Sequence, residues 1–255
     1  MSVKFLPIVL ALLSAACVSP NTKPAAATPQ RPLISRNTNT TAVGTLELEA
    51  GTAIDVGDSF MAPMTLKYGI DEDEELFISL SPINFMELPG SDAEGFGDLT
   101  IGMRRRLWSQ KEVAVAMQFA TKLPTGDEDD GLSTGEIDFF GAAIVDYDLD
   151  LATTITGFYQ FGVIGDPTDT DPGIQHVLAI AGRHTLNDDF GLFGEINGIS
   201  DPGSLDPATA IFGITHPLSP GFIVDAGIQV GLNTDAPDAR FLIGLTTNFG
   251  SIFHQ

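Results

Sequence analysis

Residues 112–123 read Glu-Val-Ala-Val-Ala-Met-Gln-Phe-Ala-Thr-Lys-Leu, an uninterrupted alternation of larger apolar side chains with small or polar ones. Val113, Val115, Met117, Phe119, Thr121 and Leu123 fall on one side of an extended chain. Glu112, Ala114, Ala116, Gln118, Ala120 and Lys122 fall on the other. Successive strand side chains point to opposite faces, so one face is apolar and the other polar or small. The pattern returns near the C-terminus, where Phe222, Val224, Ala226, Ile228 and Val230 oppose Asp225, Gly227, Gln229 and Gly231. It is less clean over 137–147, where Phe140 and Ile144 share a side with Asp138 and Asp146.

Working outward, twelve such segments occur: 42–52, 61–70, 75–83, 97–107, 112–123, 137–147, 150–163, 174–186, 189–199, 208–216, 221–232 and 239–249. A membrane-crossing strand takes about 9–11 residues. The breaks alternate strictly between short ones (71–74, 108–111, 148–149, 187–188, 217–220) and long ones (53–60, 84–96, 124–136, 164–173, 200–207, 233–238). Period two, with many Gly, β-branched and aromatic residues, argues against helices. The expectation is an all-β fold, a transmembrane antiparallel up-and-down β-barrel of about 12 strands over residues 42–255, in the bacterial outer membrane. An even strand number puts both termini on the short-turn, periplasmic side.

Aromatics form two groups. Tyr68, Phe77, Trp108, Tyr147, Phe190, Phe222 and Phe249 sit near short turns, and Phe60, Phe96, Phe119, Phe139, Phe161 and Phe241 lie towards the long loops. Two bands at opposite strand ends match interfacial girdles. A β-sandwich or soluble barrel with core aromatics is the alternative.

At the N-terminus, Lys4, an apolar run from Phe5 to Ala16 and small residues at the end describe a signal peptide over 1–16. Leu13-Ser14-Ala15-Ala16-Cys17 resembles a lipobox, with the leucine one residue farther from the cysteine than the pattern asks. Cys17 is therefore a lipidation candidate; a cysteine at an ordinary cleavage site is the other reading. Residues 17–41, rich in Pro, Thr, Asn and Ala and without a period, read as a flexible periplasmic linker.

Thirty-four acidic residues against twelve basic ones give a net charge of −22, which argues against nucleic acid as a partner. Acidic runs at 71–75, 127–130 and 166–171 fall in the breaks and read as solvated loops. The four histidines, His176, His184, His216 and His254, lack metal-ligand spacing. There is no Gly-x-Ser-x-Gly elbow and no phosphate-binding loop, and 127–131 misses the calcium-loop spacing. No catalytic residue, metal or cofactor is expected.

Period two points Glu47, Glu49, Lys67, Arg104, Arg106, Gln118, Lys122, Asp138, Asp146, Gln160, Glu195, Asp225 and Asn248 into the lumen. With both signs present, they either pair as an ionic plug or line a narrow polar path. Glu195, Arg104 and Arg106 are the candidates for the path. Barrel size does not decide between plug and path, because twelve strands lie between the filled eight and the open sixteen.

Gly95-Phe96-Gly97-Asp98-Leu99-Thr100-Ile101-Gly102-Met103-Arg104-Arg105-Arg106-Leu107 resembles the strand opening of the bacterial "putative MetA-pathway of phenol degradation" family. Lys122-Leu123-Pro124-Thr125-Gly126-Asp127 is similar to that family's strand running into a Pro-Thr-Gly loop, and Phe193-Gly194-Glu195 and Val224–Ile228 to its later strands. The resemblance implies an outer-membrane, transporter-like barrel linked to uptake of aromatic compounds. It supplies no catalytic residues. The chain departs from outer-membrane barrels that end on an aromatic residue, since His254 and Gln255 follow Phe253. The expected function is passive uptake of small molecules, aromatic or hydrophobic ones among them. A closed structural or adhesive barrel with acidic surface loops is the alternative, and an enzyme is not expected. Expected partners are outer-membrane lipids, lipopolysaccharide, the barrel-assembly machinery and a small-molecule solute.

Overall fold

The structure is a computed structural model, and it describes residues 25–56, 59–88, 91–165, 172–200 and 206–251. The signal peptide, Cys17, Phe253 and His254 lie outside the described residues.

Fifteen strands form one sheet: β1 (Thr45–Asp55), β2 (Ser59–Met61), β3 (Met64–Gly69), β4 (Glu74–Leu80), β5 (Asn84–Leu88), β6 (Ser91–Gly95), β7 (Leu99–Gln110), β8 (Val113–Leu123), β9 (Asp138–Asp148), β10 (Thr153–Ile164), β11 (Gly173–Thr185), β12 (Gly191–Ser200), β13 (Ala208–Ser219), β14 (Phe222–Gly231) and β15 (Ala239–Ser251). Twelve of them follow one another antiparallel around a wall, and β1 pairs with β15 from Glu47↔Asn248 to Asp55↔Arg240, which closes the barrel. Closure removes the open edges that no strand can leave in lipid. β2, β5 and β6 are short and lie outside the twelve-strand ring, pairing in the order β1–β2–β5–β6. They occupy the two breaks expected at 53–60 and 84–96, where period two is too brief to mark a strand.

The turns are as short as the sequence suggests. β7 and β8 are joined through Lys111, whose φ of 53° is the left-handed conformation of a tight hairpin turn. A register shift between Arg106 and Trp108 lies just before it.

The wall is sorted by size and polarity. Along β11, Val177, Ala179 and Ala181 are buried, while Leu178 and Ile180 are 63% and 68% exposed. Met117, Phe119, Phe161, Ile196, Phe212, Phe241 and Ile243 are likewise exposed. Glu47, Lys67, Arg104, Asp138, Glu195 and Asp225 are buried. A soluble protein has the opposite sorting, whereas a barrel in lipid has this one. Ile180 sits near mid-strand, so Ile180→Arg is expected to cost roughly 2–4 kcal/mol of stability in the bilayer. A shift of that size in the denaturant midpoint for folding into lipid vesicles checks it, and no shift would remove Ile180 from the lipid face.

One reading of facing changes. Phe77 is not a girdle residue, because it points inward and is only 8% exposed. Ile144 is fully buried inside, in a cluster with Ala116, Phe158 and Val177. A second internal cluster joins Phe193, Ile211, Ala53 and Leu242. Inward apolar residues need apolar partners, and these come from the segment expected to be a linker.

Candidate functional site

Residues 25–41 do not form a flexible linker. From Ala27, whose N–H donates to the Pro220 carbonyl (2.8 Å) at the β13–β14 turn, the chain rises into the lumen. At the top, Leu33 packs with Ala53, Phe193, Ile211 and Leu242, and Ile34 packs against both internal clusters. The chain then descends to Thr40, whose hydroxyl donates to the Glu72 carbonyl (3.0 Å) in the β3–β4 turn. It enters and leaves on the short-turn side, as a plug.

The plug has almost no regular secondary structure, so its backbone groups need other partners. Carboxylates on the wall supply them. Glu47 accepts from Thr28 N (2.9 Å), and Glu49 accepts from Gln30 N (2.9 Å) and Arg31 N (3.2 Å). Glu195 accepts from Ile34 N (3.0 Å), Ser35 N (2.9 Å) and the Ser35 hydroxyl (2.5 Å). Asp146 accepts from Thr38 N and its hydroxyl, both at 2.7 Å, and Glu75 from Thr41 N (2.7 Å). Ionised acceptors make hydrogen bonds about twice as strong as neutral ones, which suits a segment without a ladder of its own.

The cations complete the arrangement. Lys67 donates to Glu49 (2.5 Å) and to the Thr28 carbonyl (2.8 Å) and is ion-paired with Glu47 (2.6 Å). Arg104 binds Glu75 and donates to the Asn37 carbonyl (3.1 Å). Arg31 lies 3.7 Å from Asp225 and donates to the Ile243 carbonyl (3.2 Å). Its guanidinium rests on Gly51 and Gly244, which face each other across β1 and β15; a Cβ at either would overlap it. Glycine is needed there for close approach.

The inward candidates therefore divide. Glu47, Lys67, Arg104, Glu195 and Asp225 hold the plug; of the two path candidates among them, Arg104 also borders open space and Glu195 is taken up by the plug backbone. Arg106 stays at the short-turn rim, where the β3–β4 turn binds it through Asp73 (2.7 Å) and the Glu72 carbonyl (2.7 Å). Lys122 sits at the opposite rim between Asp138 (2.6 Å) and Asp98 (3.4 Å). Gln118 and Gln160 border open space, a cavity of about 230 Å³ between the plug and the inner faces of β3, β4 and β7 to β10. The plug contributes Gln30 and Arg36 to that cavity, and the wall adds Phe77, Phe140 and Arg104.

Glu75, Arg31 and Arg36 escape the period-two reading. The inward acids outnumber the inward cations on the strands, and that surplus is the sequence signal that donors must come from elsewhere.

The two motifs behind the family resemblance meet at the loop side. Asp98 accepts from Thr125 N and Gly126 N, both at 3.0 Å, and the Thr125 hydroxyl accepts from Leu99 N (2.9 Å). The Gly-Asp opening of β7 and the Pro-Thr-Gly exit of β8 thus form one clasp.

No curated protein matches the chain in sequence. Among solved structures, an outer membrane channel from Pseudomonas putida F1 superposes with a TM-score of 0.67 at 11% identity, over 85% of this chain and 100% of that one. The NanC porin gives a TM-score of 0.59 at 9% identity, over 79% of this chain and 98% of that one. The KdgM porin in complex with disordered oligogalacturonate gives 0.59 at 7% identity, over 82% and 99%. These likenesses show the fold, a twelve-stranded outer-membrane barrel. The profile described as "Putative MetA-pathway of phenol degradation" matches residues 29–249, plug included, and the chain belongs to that family.

Proposed function

We propose that the protein is a passive outer-membrane channel for small molecules, with its bore set by its own N-terminal segment. The observation that carries this reading is the cavity of about 230 Å³, lined by both polar and apolar side chains, left beside the plug inside a closed barrel. Such a volume is below the roughly 300–1,000 Å³ of pockets that enclose drug-sized ligands, so the solute is small. The fold shared with the Pseudomonas putida F1 channel and with two porins supports it. No catalytic step belongs to this reading.

The plug also favours a second reading. Seven of its backbone N–H groups are bound by wall carboxylates, which suits a closed structural barrel with working outer loops. Swelling of lipid vesicles carrying the intact protein separates the two. Iso-osmotic glycerol or benzoate is expected to swell them faster than protein-free vesicles. Swelling equal to that of empty vesicles, from protein that is correctly folded by heat-modifiability, would establish the closed barrel.

A further inference from the structure

We infer that the lumenal cavity is a binding site for a small organic carboxylate with an apolar body, and that Arg36 is the residue that recognises its charge. The inference rests on the channel reading only for its physiological use; the site stands on its own geometry.

Three cations line the cavity, and they are not equivalent. Lys67 is committed to the carboxylates of Glu47 and Glu49 and to the Thr28 carbonyl. Arg104 is anchored by Glu75 and the Asn37 carbonyl, with its Nε buried and unpartnered. Arg36 makes one bond, from its Nη1 to the Leu33 carbonyl (3.1 Å), and no carboxylate comes within ion-pair distance of it among the described residues. Glu49 and Glu195, the acids that attract it, are already committed to Lys67 and to the plug backbone.

Arg36 is thus a guanidinium beside a cavity with most of its donors uncommitted. A guanidinium presents a rigid planar fork that matches a carboxylate with two parallel bonds. Its uncommitted donors border the cavity, so an anionic occupant that can pair with the fork is favoured over a neutral one. Amides at Gln118 and Gln160 offer polar contacts along the wall, and Phe77 and Phe140 offer an apolar surface for the body of the solute. By strand position these four extend from mid-barrel towards the long loops, so the site faces a solute arriving from outside.

The test is titration of the intact protein in detergent micelles with benzoate, benzamide and acetate, read by calorimetry or saturation-transfer NMR. Benzoate is expected to bind about tenfold or more tightly than its neutral analogue benzamide, and more tightly than acetate. Arg36→Gln is expected to remove that tenfold preference, and Arg36→Lys to keep part of it because the charge stays while the fork is lost. Gln118→Glu places a carboxylate on the cavity wall without touching the plug. It is expected to weaken benzoate and spare benzamide, which keeps the test decisive if Arg36→Gln fails to fold. Equal affinity for benzoate and benzamide, or unchanged benzoate binding in both variants, would overturn the assignment. Binding without vesicle swelling would uphold the site and remove the channel; swelling without benzoate binding would do the reverse.

Discussion

Deleting residues 27–40 is expected to raise single-channel conductance severalfold and to make the pore select cations. The plug fills the lumen from the short-turn side up to Leu33, so its removal leaves water where Leu33, Ile34 and their neighbours stood. It also exposes the carboxylates of Glu47, Glu49, Glu75, Asp146, Glu195 and Asp225, with Lys67, Arg104 and Arg183 as cations beside them. In the intact protein, Arg31 and Arg36 offset two of those charges. Rings of carboxylate select cations in pores. Planar-bilayer recordings of the two proteins side by side, with the reversal potential in a salt gradient, check both claims. Equal conductance would mean that the plug already leaves the lumen during conduction, and a gain without cation selectivity would mean that the freed carboxylates are protonated or re-paired.

Lys67→Met is the substitution expected to cost most stability, roughly 3–5 kcal/mol, because removing one member of a buried ionic cluster leaves the others uncompensated. Two carboxylates would remain, Glu47 and Glu49, each nearly inaccessible to water. They keep their bonds to Thr28, Gln30 and Arg31, but like charges a few ångströms apart repel strongly without the ammonium between them. The internal comparison is Arg105→Gln on the outer face of the β4–β7 pair. Its pair with Glu74 spans 3.5 Å with the arginine side chain 61% exposed, so its loss is expected to cost under about 1 kcal/mol. Denaturant midpoints of the heat-modifiable band give both numbers. The triple variant Lys67→Met, Glu47→Gln, Glu49→Gln should recover most of the loss, and failure to do so would shift the explanation to packing.

The two cases also explain what the sequence discloses. The wall is legible because lipid imposes one rule on every second residue, and Val113 to Leu123 obey it without exception. The lumen obeys no single rule. Its occupant is protein, so inward positions alternate between carboxylates that hold the plug and apolar residues such as Ile144 and Phe193 that pack on it. That is why 137–147 looks untidy by period. The plug is illegible for a related reason: its partners are carboxylates 18 to 212 residues away in sequence or backbone carbonyls on the wall, not neighbours at a fixed spacing. Arg36 lacked any local signal. Arg106 follows Arg104 by period two, but near the strand end, where Asp73 and the Glu72 carbonyl of the β3–β4 turn hold it at the rim.

The plug's position ahead of β1 carries a consequence for assembly. β1 is the first strand made and must wait for β15, the last, before the ring can close. The segment just before β1 touches both sides of that seam, since Thr28 and Gln30 bind β1 while Arg31 reaches Ile243 on β15 and Asp225 on β14. Seam closure and plug docking therefore amount to a single event, with contacts that span nearly the whole chain. Contacts so distant in sequence make for slow folding. A newly made chain is expected to persist as an open, curved sheet whose unsealed edges depend on a chaperone or on the membrane-insertion machinery, and the seam becomes the step at which biogenesis is timed.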